Sequence, residues 1–215
     1  MLIVVTGTAT EIGKTWCTAH LAEYLVAEGL HVSVHKPVQS FDPSDTAPTD
    51  ADVLGAAVGV DAYAVCPPHR WLAVPMAPPM AADALGLMPF RLADLVAEVR
   101  IARSGADFEF VEGAGGVRSP IALDGDSADL AASLDADAVV LVADAGLGTI
   151  NSVRLAAAAV GSRPLLVWLN RFDAGVDLHQ RNHDWLRDTD GFELATDVGG
   201  AATWLRDRAM RRARP

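Results

Sequence analysis

The sequence predicts an α/β chain whose residues 1–215 form a single domain, a doubly wound, mostly parallel sheet with helices on both faces. Three observations lead there. Short runs that are apolar throughout, and so suited to burial on both faces, alternate with stretches of helical spacing. The first run passes through a glycine-containing loop straight into a helix. No internal repeat, low-complexity tract or shift in composition marks a second domain, and 215 residues are enough for one full-sized core.

Taken in order, MLIVVT is rich in β-branched side chains and reads as the first strand, and KTWCTAHLAEYLVAEG as a helix closed by Gly29. HVSVH is a second strand. The polar, proline-punctuated SFDPSDTAPTDAD leads into a small-residue helix around 50–58. Residues 66–80, CPPHRWLAVPMAPPM, are too proline-rich for regular structure and are expected as an ordered surface loop beside the site. RLADLVAEVRIARS has helical spacing, and DFEFVEGAGG is a strand that ends in an acid and glycines. A helix near 127–134, the strand ADAVVLVAD, the turn AGLGT, a helix from Asn151 and the strand PLLVWLN follow. Weaker helical signals occupy 178–187 and 200–213.

Composition excludes several classes. A formal charge of −11 works against broad nucleic-acid binding, which needs a positive surface. The one basic run, RDRAMRRARP, spreads its five arginines around a helix and reads as a solvated last helix. No stretch reaches the roughly eighteen apolar residues of a membrane span. The opening MLIVVTGT has no charged leader, so a cytoplasmic location is expected. Cys17 and Cys66 are too few for a disulfide framework and read as small buried hydrophobes. His179 and His183 have metal-ligand spacing but no third ligand nearby, which favours a solvated helix face. Asp124 and Asp126 in LDGDSAD read as a turn and a helix cap.

TGTATEIGKT, residues 6–15, ends in Gly13-Lys14-Thr15, the tail of a Walker A loop, with the demanded strand before it and helix after it. Its head departs from G-x-x-x-x-G-K-[ST]: Thr8 stands where the first glycine belongs, and the glycine is Gly7. The physics survives, because backbone N–H groups at a helix N-terminus still surround an anion. Lys14 reaches outer phosphate oxygens and the Thr15 hydroxyl can join a magnesium shell. A carboxylate in that cradle repels a triphosphate, so Glu11 is expected to turn toward a cation, an amine or a ribose hydroxyl.

Ligands of an open parallel sheet gather beyond the carboxyl ends of its strands, where Glu112 follows FEFV and where the loop after HVSVH delivers Asp50. Both acids can bind magnesium; Asp50 reads equally as a helix N-terminal residue. The glycines after Glu112 call for a close backbone approach, or for a tight turn alone. Lys36 ends the second strand on the same side. The chain has fifteen arginines and two lysines, Lys14 and Lys36. A compact ammonium suits a phosphoryl group in transfer better than a planar fork does, so two of them point to transfer chemistry.

GTATEIGKT, HKPVQS, the acid in PTDAD, VEGAGG and LGTIN together resemble the dethiobiotin synthetase family, in order from residue 1 to about 171. That resemblance implies a P-loop NTPase fold and an ATP- and Mg²⁺-dependent ring closure of 7,8-diaminononanoate with CO₂ to dethiobiotin, ADP and phosphate. It implies catalytic roles for Lys14 and Lys36, and a magnesium shell from Thr15, Asp50 and Glu112. Nucleotide contacts follow from Glu11, Ile12, Gly13, Lys14, Thr15, Trp16, Asp50, Glu112, Gly113, Ala114, Gly115 and Asn170, the last reading the base. Thr10, Lys36, Ser40 and Glu112 are implied near the diamine and its carbamate. The substrate carboxylate is implied on Gly148, Thr149, Ile150 and Asn151 of the other subunit of a homodimer.

Four positions depart from the family pattern. Trp16 replaces a small aliphatic residue, Pro79 stands where a histidine is common, Arg171 stands where an acid is frequent, and ELATDVGG replaces a Gly-x-Ile/Leu-Pro turn. Two alternatives share the sheet: a partition-type ATPase switch, whose signature lysine this chain lacks at Thr8, and a regulatory nucleotide-binding domain without catalysis. Cobyrinic acid amidating enzymes are related but need a glutaminase domain that this length cannot hold.

Overall fold

The computed structural model describes residues 1–212; Ala213, Arg214 and Pro215, which close the basic run and the last helical signal, lie outside the described residues. The chain runs β1 (Leu2–Gly7), α1 (Lys14–Ala27), β2 (Val32–His35), β3 (Gln39–Ser40), α2 (Asp50–Val58), α3 (Ala62–Val65), a 3-10 turn (Pro68–Arg70), β4 (Trp71–Leu72) and α4 (Pro78–Ala84). It continues with α5 (Leu92–Ala102), β5 (Phe108–Glu112), β6 (Pro120–Ala122), β7 (Gly125–Asp126), α6 (Ser127–Ser133), β8 (Ala138–Asp144) and α7 (Thr149–Val160). Last come β9 (Leu165–Asn170), α8 (Asp177–Asp184), a π-helical turn (Trp185–Thr189), β10 (Glu193–Ala195) and α9 (Val198–Arg212).

Six strands form one sheet in the order β10-β9-β8-β1-β5-β2, every pairing parallel. Side chains of a strand alternate between faces, and here both faces are covered. Leu2 and Val4 of β1 pack with α5, α6 and α7 through Leu95, Leu130 and Val153. Ile3 and Val5 pack on the other face with α1, α2 and α9 through Leu21, Leu54 and Leu205. This two-sided burial is why the strands are mostly apolar, with polar exceptions such as Ser33 and His35 in β2 and Glu109 in β5. The carboxyl ends of β1, β2, β5, β8 and β9 share one edge, at Gly7, His35, Glu112, Asp144 and Asn170.

Several expectations are corrected. The proline-rich stretch 66–80 is not wholly irregular: β4 pairs with β3, and α4 starts at Pro78 with Pro79 in its first turn. Proline is barred from helix interiors but suits the first turn, where its missing N–H has no partner to lose. ELATDVGG supplies a sixth strand, β10, whose residues pair in parallel with β9. The helix expected from Asn151 begins at Thr149, because Gly148 adopts φ 92° and the Thr149 hydroxyl donates to the Asp144 carbonyl at 2.5 Å. Residues 185–189 widen into a π turn at the end of α8.

Other expectations hold. Asp126 caps α6 by accepting from the backbone N–H of Ala128 and Asp129. Asp124 accepts from the Leu92 N–H and so ties the start of α5. Both cysteines are buried and free, and burial pushes their thiols up to about 12. The solvated face expected for His179 and His183 is only partly seen: both are half-buried with their rings near Phe172, and His179 accepts from the Asp173 N–H. Among the described residues, no helix is long and apolar enough to cross a membrane.

Candidate active site

The loop between β1 and α1 is shaped by two backbone conformations. Gly13 takes φ 93°, and a Cβ there would lie 2.1 Å from Asn170 Nδ2. Glu11 takes φ 57°, unusual for a residue with a Cβ. That conformation leaves the Glu11 carbonyl to accept from Arg171 Nη2 at 3.2 Å, while its side chain stays exposed on the cleft. Arg171 itself sits at φ 58° and lies 3.6 Å from Asp144 through Nη1. α1 begins with no side-chain cap, so its first N–H groups are left to the cleft.

Lys36 follows β2 directly and is buried, 1% exposed. Its Nζ lies 2.6 Å from Asp50 Oδ2, 2.8 Å from Glu112 Oε1 and 3.2 Å from the Gly113 carbonyl. Burial alone lowers a lysine, but the carboxylates of Glu112 and Asp50 outweigh it and hold this ammonium above the usual range. Burial likewise raises Asp50, yet Lys36, the Thr15 hydroxyl and Lys14 reverse the effect and keep its carboxyl below the usual range. Asp50 occupies the first position of α2 because Thr49 and Asp52 form the capping box around it, which frees its side chain for the cleft.

Thr15 Oγ1 is 2.7 Å from Asp50 Oδ1 and 2.8 Å from Glu112 Oε1. One hydroxyl and two carboxylates form an all-oxygen set suited to a hard cation, and two ligands at right angles on magnesium lie about 2.9 Å apart. The observed separations match that edge, so the three residues fit Mg²⁺. Glu112 is fully buried at the end of β5, and its second oxygen accepts from Thr18 Oγ1 at 2.7 Å. Thr18 was not singled out in the sequence; its spacing of four from Lys14 on one helix face was the available signal.

Lys14, Thr15, Lys36 and Asp50 line one cleft of about 820 Å³, together with Thr10, Glu11, Gly13, Ser40, Ala114 and Gly115. Lys14 is buried, with Nζ 3.4 Å from the Ala9 carbonyl. Burial, aided by the charge on Lys36, holds it below the usual lysine range although Glu112 and Asp50 pull the other way. The cleft is also lined by residues of the segment Phe41–Thr49 and by Pro75 to Pro78 of the proline-rich stretch.

The remaining residues fall elsewhere. Gly113 makes its close approach to Ser127, whose Oγ would sit 2.3 Å from an added Cβ, so that glycine is explained by internal packing. Asn170 donates Nδ2 to the Ile12 carbonyl at 2.9 Å and so braces the loop from β9. Trp16 is 49% exposed and stacks on His20 with ring centroids 4.1 Å apart, outside the cleft lining. Gly148, Thr149, Ile150 and Asn151 do not line this cleft. They form the start of α7, where Asn182 of α8 donates Nδ2 to the Ala145 and Gly146 carbonyls, both at 2.9 Å.

Residues 2–176 match the family described as an AAA domain. The chain is 41% identical over 165 residues to the ATP-dependent dethiobiotin synthetase BioD of Rhodococcus jostii (strain RHA1), covering 76% of this chain and 69% of that one. It is 33% identical over 198 residues to the protein of the same name from Haloferax mediterranei, covering 89% and 81%. Among solved structures, chloroplast FtsY from Physcomitrella patens superposes with a TM-score of 0.55 at 15% identity, over 97% of this chain and 64% of that one, a likeness of fold. With 41% identity, two thirds or more of both chains covered and a parallel sheet whose P-loop cleft is lined by Lys14 and Lys36, the chain belongs to the family of ATP-dependent dethiobiotin synthetases.

Proposed function

We propose that the protein closes a cyclic urea on 7,8-diaminononanoate, using CO₂ and ATP and releasing dethiobiotin, ADP and phosphate. One amine of the diamine takes up CO₂ as a carbamate. A carbamate oxygen attacks the γ-phosphorus of ATP and ADP leaves, giving a mixed anhydride. The second amine attacks the carbamoyl carbon, the C–O bond to phosphate breaks, and the ring closes. Holding both amines, the carbamate and ATP in one cleft supplies about 7–11 kcal/mol of the barrier through positioning.

In this reading the α1 N-terminus and Lys14 bind the phosphates. Lys36 stabilises the charge on the transferring phosphoryl group, remaining an ammonium because two carboxylates face it. Thr10 and Ser40 border the diamine on the cleft wall. Thr15, Asp50 and Glu112 would hold Mg²⁺, which when bound neutralises phosphate charge. Gly148 to Asn151 of a second copy receive the substrate carboxylate, consistent with their place outside this chain's own cleft. Asn170 and Trp16 flank the loop on the nucleotide side, with Asn170 near the base.

The observation that carries the proposal is the buried Lys36 ammonium within 2.8 Å of both Asp50 and Glu112, in the cleft that Lys14 also lines. The test is phosphate release from ATP with bicarbonate, with and without the diamine. Release that depends strongly on the diamine, with dethiobiotin as product, supports the reading. Release indifferent to it but responsive to DNA or a protein partner replaces it with a nucleotide switch.

A further inference from the structure

The two oxygens of Glu112 have different surroundings. Oε1 meets Lys36 Nζ and Thr15 Oγ1, each at 2.8 Å, and those two residues line the cleft. Oε2 faces α1 and, among the described residues, accepts one hydrogen bond, from Thr18 Oγ1 at 2.7 Å. Thr18 is buried, and its hydroxyl also lies 2.9 Å from the Lys14 carbonyl, one helical turn back. A helical threonine can select its rotamer by such a contact with the i−4 carbonyl. Here that rotamer aims the hydroxyl at β5. With one proton and two acceptors, the charged oxygen is the stronger partner.

We propose that Thr18 is a positioning residue for the phosphate site: by holding Glu112 Oε2 it fixes the rotation of the carboxylate and keeps Oε1 aimed at Thr15 and Lys36. The proposal rests on the reading of Thr15, Asp50 and Glu112 as the cation set. A fully buried carboxylate cannot recruit solvent to replace a lost donor. Without the Thr18 hydroxyl its cheapest relief is to rotate toward another donor, and rotation withdraws Oε1 from Thr15 and Lys36. Thr18 thereby joins the helix that carries Lys14 and Thr15 to the strand that carries the acid. A threonine serving only to satisfy its own hydroxyl on the Lys14 carbonyl has no such consequence, because valine would replace it without effect on the cleft.

The experiment measures Mn²⁺ uptake by electron paramagnetic resonance in the presence of a non-hydrolysable ATP analogue, for the full chain and for Thr18→Val, Thr18→Ala and Thr18→Ser. Thr18→Val should weaken Mn²⁺ binding by about 10- to 100-fold, the range seen when a residue that orients a metal ligand is removed, and Thr18→Ser should stay within about threefold of the parent. Thr18→Ala removes the same hydroxyl with less bulk and carries the same expectation if the valine variant does not fold. Mn²⁺ affinity of Thr18→Val or Thr18→Ala equal to the parent overturns the proposal, as does a serine variant as weak as valine. A parent that takes up no Mn²⁺ with the analogue overturns the cation reading and the proposal together; a parent that binds while the variants match it overturns the proposal alone.

Discussion

Lys36 and Glu112 are 76 residues apart in the chain, yet Nζ of one lies 2.8 Å from Oε1 of the other, and both are buried. β2 and β5 are neighbours in the sheet, so the residues at their carboxyl ends are forced together. An ammonium in that position is desolvated and paired, which suits it to hold charge at a fixed point as phosphate charge develops.

Lys36→Ala should lower turnover by about 10²- to 10³-fold, by analogy with the loss of one preorganised transition-state donor. Lys36→Arg should not restore it, because a planar fork cannot occupy a pocket closed by Asp50, Glu112 and the Gly113 carbonyl. Steady-state kinetics on both variants checks this; an arginine variant near the parental rate refutes the point-charge argument.

The pH dependence of stability has a defined sign. The Asp50 carboxyl lies below its ordinary range, so it adds stability that is complete above about pH 3.9, the unfolded value, and is lost as pH falls through the lower folded value. Lys36 lies above its ordinary range, so its contribution is complete below about pH 10.4 and is lost only as pH rises through the higher folded value. Between those limits the pair contributes no slope. Asp50→Asn should therefore flatten the acid limb of the melting temperature and leave the region near neutrality parallel to the parent. A slope change confined to pH 6–8 would contradict this assignment.

Gly13→Ala should cost about 1–2 kcal/mol for the left-handed backbone alone, and more from the overlap with Asn170 Nδ2. Nucleotide affinity should fall with it, since Asn170 braces the loop through the Ile12 carbonyl. Denaturant midpoints and nucleotide titration measure the two effects; an alanine variant with parental values for both would show that the loop tolerates another path.

Asn182→Leu should destabilise the protein by about 1–3 kcal/mol, because the buried carbonyl of Ala145 and the partly buried one of Gly146 lose their donor. The start of α7 should loosen in hydrogen exchange. Unchanged protection there would mean that the turn is held by Asp144 and Thr149 without help from α8.

If the α7 start of one copy completes the cleft of another, two inactive variants should repair each other. Lys36→Ala and Asn151→Asp, each depressed alone, should on mixing and subunit exchange recover about a quarter of parental activity, since half the dimers are mixed and each mixed dimer has one intact site. Activity that stays at the level of the separate variants rejects the shared site.

The sheet, its helices and the loop that ends in Lys14 and Thr15 are legible in the sequence because their causes are local. Two-sided burial demands mostly apolar strands, and a helix N-terminus after Gly13 demands the loop chemistry found there. Glu112 and Lys36 are recognisable as strand-end residues for the same reason. Their pairing, the bracing of Ile12 by Asn170, the Thr18 contact to Glu112 and the capture of the Ala145–Gly146 turn by Asn182 each join residues from different elements. They depend on which strands lie side by side and which helix covers which face. β10 and the β3 to β4 pairing are too short to carry a periodic signal, and α4 is hidden behind prolines whose meaning depends on where the helix starts. The residue order determined which chemical groups stand at the ends of the strands; the tertiary structure alone decided which of them touch, because a contact between distant parts of a chain is set by the packing of the whole sheet.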